Sequence, residues 1–175
     1  TKRSEKEGFY DRFRNRIIIP IRDANQRLCG FGARALLNED NPKYLNSPQT
    51  LLFDKSAILF GLDKARKPIR TVDQAIIVEG YFDVIGLHQA GFENAVSPMG
   101  TALTPTQMRL LKRYTRKIVL ALDPDSAGEK ATLKGLEVVR DSMDHSEDFV
   151  FDPKGLIRIE ARLDADIRVC SLPDQ

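Results

Sequence analysis

Ala75-Ile76-Ile77-Val78-Glu79-Gly80-Tyr81-Phe82-Asp83 is an apolar run of strand type that ends on carboxylates, and Ile118-Val119-Leu120-Ala121-Leu122-Asp123-Pro124-Asp125 repeats that arrangement further along the chain. Short apolar runs bounded by turn residues read as strands buried on both faces, as in a parallel sheet covered by helices. In open parallel sheets, ligands bind beyond the carboxyl ends of the strands. Both runs deliver their acids to that edge. Asp123 and Asp125 are two residues apart, so in extended backbone they point to the same side, where two ionised carboxylates repel unless a cation joins them. Oxygen donors without His or Cys favour Mg2+ or Mn2+, and Mg2+ completes its shell with water and phosphate oxygens. Glu79 supplies a third ligand or a proton-transfer group, and Asp83 lies one helical turn beyond it. The competing structural reading is that Glu79 and Asp125 are acids placed at helix N-termini, satisfied by the backbone dipoles there.

Working outward, the second portion alternates strand and helix, which implies parallel strands joined by right-handed crossovers. Strand Ala75 to Val78 leads to a helix from about Tyr81 to Ala90, stopped by Gly91. A short strand at Ala95-Val96-Ser97 is followed by Thr104-Pro105-Thr106-Gln107, a capping box with proline at the first helical position. Met108, Leu111 and Tyr114 are placed against the sheet. Strand Ile118 to Leu122 precedes a second capping box, Ser126-Ala127-Gly128-Glu129, opening a helix to about Asp141. A polar stretch from Asp144 to Gly155 separates this from β-rich segments at Leu156 to Leu163 and Ile167 to Leu172, the last adding a strand. In the first portion, Arg16 to Ile21 and Leu28 to Leu36 read as a hairpin about a turn at Asp23-Ala24-Asn25-Gln26. A polar loop from Asn38 to Thr50 follows. Ser56 then caps a short helix to about Ala65, ended by Lys64-Ala65-Arg66-Lys67-Pro68.

Length and composition fit one ordinary domain or slightly more: 175 residues, 42% hydrophobic. No apolar stretch approaches the roughly 20 residues of a membrane span and no secretory leader is legible, so the expected setting is cytoplasmic with no membrane partner. Cys29 and Cys170 lack CxxC spacing, which supports neither a disulfide framework nor a zinc site; both read as core residues. The net charge of +2 conceals an asymmetry: residues 1–70 carry 15 basic and 8 acidic side chains, residues 71–175 carry 12 and 17. A basic part joined to an acid-bearing part suits an enzyme that grips a polyanion and holds metal; an ordinary solvated surface explains the same counts.

A strand ending in Glu-Gly, paired with one ending in Asp-x-Asp before Ala-Gly, resembles the TOPRIM domain. The remaining strings resemble one branch of that fold, the catalytic core of bacterial DnaG-type primases. They are Asp11-Arg12-Phe13-Arg14-Asn15-Arg16, Pro20-Ile21-Arg22-Asp23, Gly30-Phe31-Gly32-Ala33-Arg34, Pro42-Lys43-Tyr44-Leu45-Asn46-Ser47-Pro48, Phe53-Asp54-Lys55 and Phe60-Gly61-Leu62. The likeness runs in order over about residues 8–140. It implies an α/β fold with a TOPRIM-type parallel sheet flanked by helices over 71–175, preceded over 1–70 by part of a small mixed α+β basic subdomain. It also implies DNA-templated synthesis of short RNA primers from ribonucleoside triphosphates on single-stranded DNA, with Mg2+ or Mn2+. By the same resemblance, Glu79 serves proton transfer or metal chemistry, and Asp83, Asp123 and Asp125 bind metal. Arg12, Arg14, Lys43 and Lys55 form the basic groove, with Tyr44 and Asn46 near the nucleotide, and Gly100-Thr101 borders the phosphates.

Two departures stand out. Pro124 occupies the middle of Asp-x-Asp, where the family often has Gly, and so removes a backbone donor. The chain also reads as a piece of a longer protein that stops before a further acidic motif of the family. Its zinc-binding and replicative-helicase-binding regions are expected outside, with no zinc in this stretch and weak or no activity for the piece alone. Arg109, Lys112, Arg113, Arg116 and Lys117 read as a solvated helix face, and His88 and His145 carry no chemistry. The alternatives are a TOPRIM nuclease or topoisomerase, for which Tyr10, Tyr44, Tyr81 and Tyr114 offer no nucleophile context, and a non-catalytic DNA-binding module.

Overall fold

The computed structural model describes residues 2–4, 8–100, 102–122, 135–142, 145–151, 157–163 and 165–170. Asp123, Asp125 and Thr101 lie outside them, as does the start of the helix expected after Asp125. The chain packs as two units, Thr1–Asp54 and Lys55–Gln175.

In the first unit, β1 (Lys2–Ser4) pairs antiparallel with β2 (Gly8–Tyr10). The expected hairpin forms from β3 (Arg16–Arg22) and β4 (Leu28–Ala35). Its turn is fixed by Asp23, whose Oδ1 accepts from the amides of Asn25 and Arg27 at 2.8 and 3.0 Å. Ile19, Ile21 and Ala33 are buried with Phe53. The polar loop expected between Asn38 and Thr50 instead contains β5 (Tyr44–Asn46), which completes a three-stranded antiparallel sheet in the order β3-β4-β5. Backbone groups form this pairing, so the polar side chains concealed it.

The second unit opens on a 3-10 turn, Lys55–Ala57, and continues into α1 (Leu62–Val72). Here the sequence reading is corrected at both ends. The helix cannot begin at Ser56, because Phe60 makes a two-way backbone pairing with Ser97 at 2.9 and 3.1 Å and Gly61 is left-handed at φ 84°. Nor does Pro68 end it. The ring forfeits one bond to the previous turn, but Leu62, Ala65 and Ile69 form a buried stripe that carries the helix on to Val72.

A four-stranded parallel sheet follows, from β6 (Ala75–Ile77), β7 (Ala95–Val96), β8 (Lys117–Leu120) and β11 (Asp166–Val169), in the order β11-β8-β6-β7. Helices α2 (Tyr81–Gln89) and α3 (Pro105–Leu111) connect the first three strands. Residues 135–142 are helical and pack on the sheet, with Val139 fully buried. Met108 and Leu111 are buried as expected, whereas Tyr114 is half-buried beneath the guanidinium of Arg70, 4.8 Å from its ring centre. The stretch read as polar from Asp144 holds β9 (His145–Phe151), hairpinned with β10 (Ile157–Leu163). The cysteines are also corrected: Cys29 is half-buried, its thiol donating to the Ile21 carbonyl at 3.2 Å, and Cys170, just past β11, is exposed. No helix among the described residues is long and apolar enough to cross a membrane.

Gly61 allows a direct test of this packing. A Cβ there would meet Val84 Cγ1 at 2.8 Å and the Ala95 carbonyl at 3.2 Å, on backbone that L-residues rarely adopt. Gly61→Ala is expected to destabilise the chain by about 2 kcal/mol or more in urea unfolding, since strain and overpacking each cost about 1–3 kcal/mol; an unchanged midpoint would show that the α1 entry relaxes freely.

Candidate active site

Strand order defines the site. From β6 the chain crosses to β7 on one side, whereas from β8 it crosses to β11 on the other. Right-handed crossovers therefore put α2 and the helical segment 135–142 on opposite faces, which opens a crevice at the carboxyl ends of β6 and β8. These two strands are direct neighbours in register, Ile77 beside Leu120, and the Ala121 amide donates to the Ile77 carbonyl at 2.9 Å. Glu79 is two residues beyond Ile77 and Leu122 two beyond Leu120. The pair is thus level at the mouth of the crevice, on strands about 4.8 Å apart. Asp123 and Asp125 follow Leu122 directly in sequence, outside the described residues.

Glu79 is held through its backbone. Its carbonyl accepts from the Ser97 hydroxyl at 2.6 Å and from the Gly100 amide at 2.9 Å. Sequence reasoning missed Ser97, a small polar residue at the end of a two-residue strand, and nothing local marks it out. Gly100 follows Met99, and both are left-handed, at φ 70° and 64°. Because the Gly100 amide is engaged by Glu79, its visible contribution is to anchor the acid. Asp83 is exposed at the first turn of α2, and its Oδ2 accepts from the Gly80 amide at 2.8 Å. Asp83 thus caps the start of α2 through one carboxylate oxygen. Among the described residues no group of three His, Cys, Asp or Glu is assembled; the donors at this edge are Glu79 and Asp83, hard oxygens suited to a Mg2+-type ion.

The basic residues fall in both units. In the first, Arg12, Arg14, Asn15, Arg16 and the Asp40–Pro42 segment line a cleft of 610 Å³. Arg12 is committed structurally, its Nε and Nη2 donating to the Asn46 carbonyl at 3.3 and 3.0 Å. Arg16 donates to the Pro42 carbonyl at 2.6 Å. The cleft therefore unites Arg12 and Arg14, and Arg12 joins it to Asn46. Tyr44 is exposed, with the Lys43 ammonium 5.8 Å and the Arg34 guanidinium 6.0 Å from its ring centre. Lys55 belongs to the second unit, where burial lowers its ammonium pKa.

At the opposite edge of the sheet, Lys112, Arg113, Arg116 and Lys117 surround Asp73. Lys117 at 2.8 Å and the Thr115 hydroxyl at 3.0 Å hold the Asp73 carboxyl below its ordinary pKa. His88 is a packing residue, its Nε2 2.9 Å from the Ala95 carbonyl.

Comparison with known proteins matches residues 1–66 to a family model described as the DNA primase catalytic core, N-terminal domain, and residues 73–147 to the Toprim domain. A DNA primase of Synechococcus elongatus is 54% identical over 141 residues, covering 79% of this chain and 20% of its own length. One of Clostridium acetobutylicum is 49% identical over 138 residues, covering 79% and 23%. The chain thus spans about a fifth of the length of these curated relatives. Among solved structures, a DnaG primase catalytic domain bound to single-stranded DNA superposes with a TM-score of 0.79 at 36% identity, over 99% of this chain and 50% of that one. The Aquifex aeolicus primase, comprising zinc-binding and RNA polymerase domains, superposes with a TM-score of 0.76 at 40% identity, over 81% and 36%.

Proposed function

Because this chain belongs to the bacterial DnaG-type primase family, as part of its catalytic core, we propose that it joins ribonucleoside triphosphates into short RNA primers on single-stranded DNA. The Ile77–Leu120 register supports this reading most, since it sets Glu79 beside the strand that runs into Asp123-Pro124-Asp125. Residues 1–70 contribute part of the basic subdomain, and residues 71–175 the metal-binding domain. Glu79, Asp83, Asp123 and Asp125 hold Mg2+ or Mn2+, which when bound neutralises phosphate charge and polarises the phosphorus centre. The 3′-hydroxyl oxygen attacks the α-phosphorus of the incoming triphosphate and pyrophosphate leaves. Glu79 takes the hydroxyl proton on a carboxylate oxygen. Its backbone anchors limit where that carboxylate can reach, and such positioning supplies most of the catalysis in phosphoryl transfer.

Arg14, Lys43 and Lys55 meet phosphates, Arg12 shapes the cleft, and Tyr44 and Asn46 lie near the nucleotide. Gly100 and Thr101 border the triphosphate, Gly100 through the anchor it gives Glu79. The replicative helicase is engaged by regions outside these residues, and the setting is the cytoplasm. The test is incubation of the primase polypeptide that contains this chain with single-stranded template, labelled ribonucleotides and Mg2+. Short RNA products support the proposal. Nicked or relaxed plasmid would favour a nuclease or topoisomerase, and binding without turnover a DNA-binding module.

The basic cleft carries its own prediction. Arg14→Ala is expected to weaken binding of single-stranded oligonucleotides of every sequence alike and to reduce the slope of log affinity against log salt by about 0.7, one phosphate contact. An unchanged slope in a fluorescence-anisotropy salt series would remove Arg14 from the DNA path.

A further inference from the structure

We infer that Ser97 is a positioning residue for Glu79, acting from the neighbouring strand end through the Glu79 carbonyl; this rests on the catalytic role proposed for Glu79. Ser97 is fully buried and each of its polar groups is hydrogen-bonded. Its amide and carbonyl pair with Phe60, its hydroxyl donates to the Glu79 carbonyl at 2.6 Å, and the same oxygen accepts from the Met99 amide at 2.8 Å. The Gly100 amide takes the second acceptor position on that carbonyl. To bring it there, Met99 and Gly100 adopt consecutive left-handed conformations, at φ 64° and 70°, although Met99 is neither glycine nor exposed, at 3% of its surface.

Left-handed backbone at a buried, non-glycine residue is strained and persists only where its surroundings impose it. Here the imposing contacts converge on one atom, the carbonyl oxygen of the residue at the mouth of the crevice. A strand end needs no such arrangement to finish: β6 already pairs on both sides, with the Val78 amide donating to the Val96 carbonyl at 3.0 Å. The additional bonds fix the residue beyond the ladder, and with it the origin of the Glu79 side chain.

The experiment is a double-mutant cycle in primer synthesis, using the primase polypeptide that contains this chain, with Ser97→Ala, Glu79→Gln and the pair. Ser97→Ala removes only the hydroxyl and is expected to lower kcat on the order of 10- to 100-fold, the size of effect that misplacement of a catalytic group produces. KM for the nucleotide and affinity for template are expected to stay unchanged. In the Glu79→Gln background the same substitution is expected to change residual synthesis less than about twofold, because positioning acts only through the replaced carboxylate. Ser97→Thr, which keeps the hydroxyl, should restore kcat; if its methyl prevents folding, the cycle decides alone. Undiminished kcat in Ser97→Ala, with Glu79→Gln inactive, would overturn this inference and leave the function of Glu79 standing, and so would equal losses in both backgrounds. Full activity in Glu79→Gln would overturn both.

Discussion

Replacing Glu79 by Gln in the primase polypeptide that contains this chain is expected to lower primer synthesis by about 10²- to 10⁴-fold, the usual contribution of a general acid or base. Affinity for single-stranded DNA should be unaffected. The substitution keeps side-chain length, the backbone anchors from Ser97 and Gly100, and one oxygen donor, and it removes the charge and the proton-accepting oxygen. The residues proposed to contact template, Arg12 and Arg14, lie instead in the cationic cleft of the other unit. The measurement is radiolabelled primer yield under single-turnover conditions beside anisotropy binding. Loss of both together would indicate misfolding or a role for Glu79 in template binding, and full retention of synthesis would remove it from the mechanism.

The largest expected loss of stability lies at Gln107. This side chain is fully buried, its Nε2 donating to the Lys55 and Ile58 carbonyls at 3.0 and 2.9 Å and its Oε1 accepting from the Thr104 amide at 3.0 Å. It ties the segment leading into α1 to the start of α3. Gln107→Ala opens a cavity and strands two carbonyls and one amide, each stranded group costing about 1–3 kcal/mol, so a loss of about 3 kcal/mol or more is expected in denaturant unfolding. Gln107→Leu separates the two causes. It nearly fills the space but restores no hydrogen bond, and is therefore expected to lose most of the same stability. If leucine proves neutral, volume rather than hydrogen bonding is what the site requires.

Gln107 also marks how far the sequence could be read. Its backbone and capping role were legible from Thr104-Pro105-Thr106-Gln107, because a capping box is a local pattern, and the reciprocal bonds form as expected. Its second use, clasping carbonyls about 50 residues away, left no local trace. The sheet was legible for the same reason as the box: apolar runs bounded by glycine and acids fix strands, and alternation with helices fixes parallel order. β5 and β9 were not, since each lies in a stretch that reads as polar in the sequence while strand pairing is made by backbone groups. α1 was misread because Pro68 is a strong local stop that the buried Leu62, Ala65 and Ile69 override. The position of Glu79 at a strand end and of Asp83 one helical turn beyond it was legible, but the bond from Ser97 to the Glu79 carbonyl was not, because it depends on which strand lies beside β6.

Crystals of the chain soaked in Mn2+ and measured at its absorption edge would show whether Glu79 and the Asp123-Pro124-Asp125 turn share a metal. One anomalous peak or a close pair is expected at the mouth of the crevice between β6 and β8, within about 2.0–2.3 Å of carboxylate oxygens from Glu79 and from Asp123 or Asp125. A manganese ion bound elsewhere, or one coordinated at Asp123 and Asp125 with Glu79 turned away from it, would contradict a shared site.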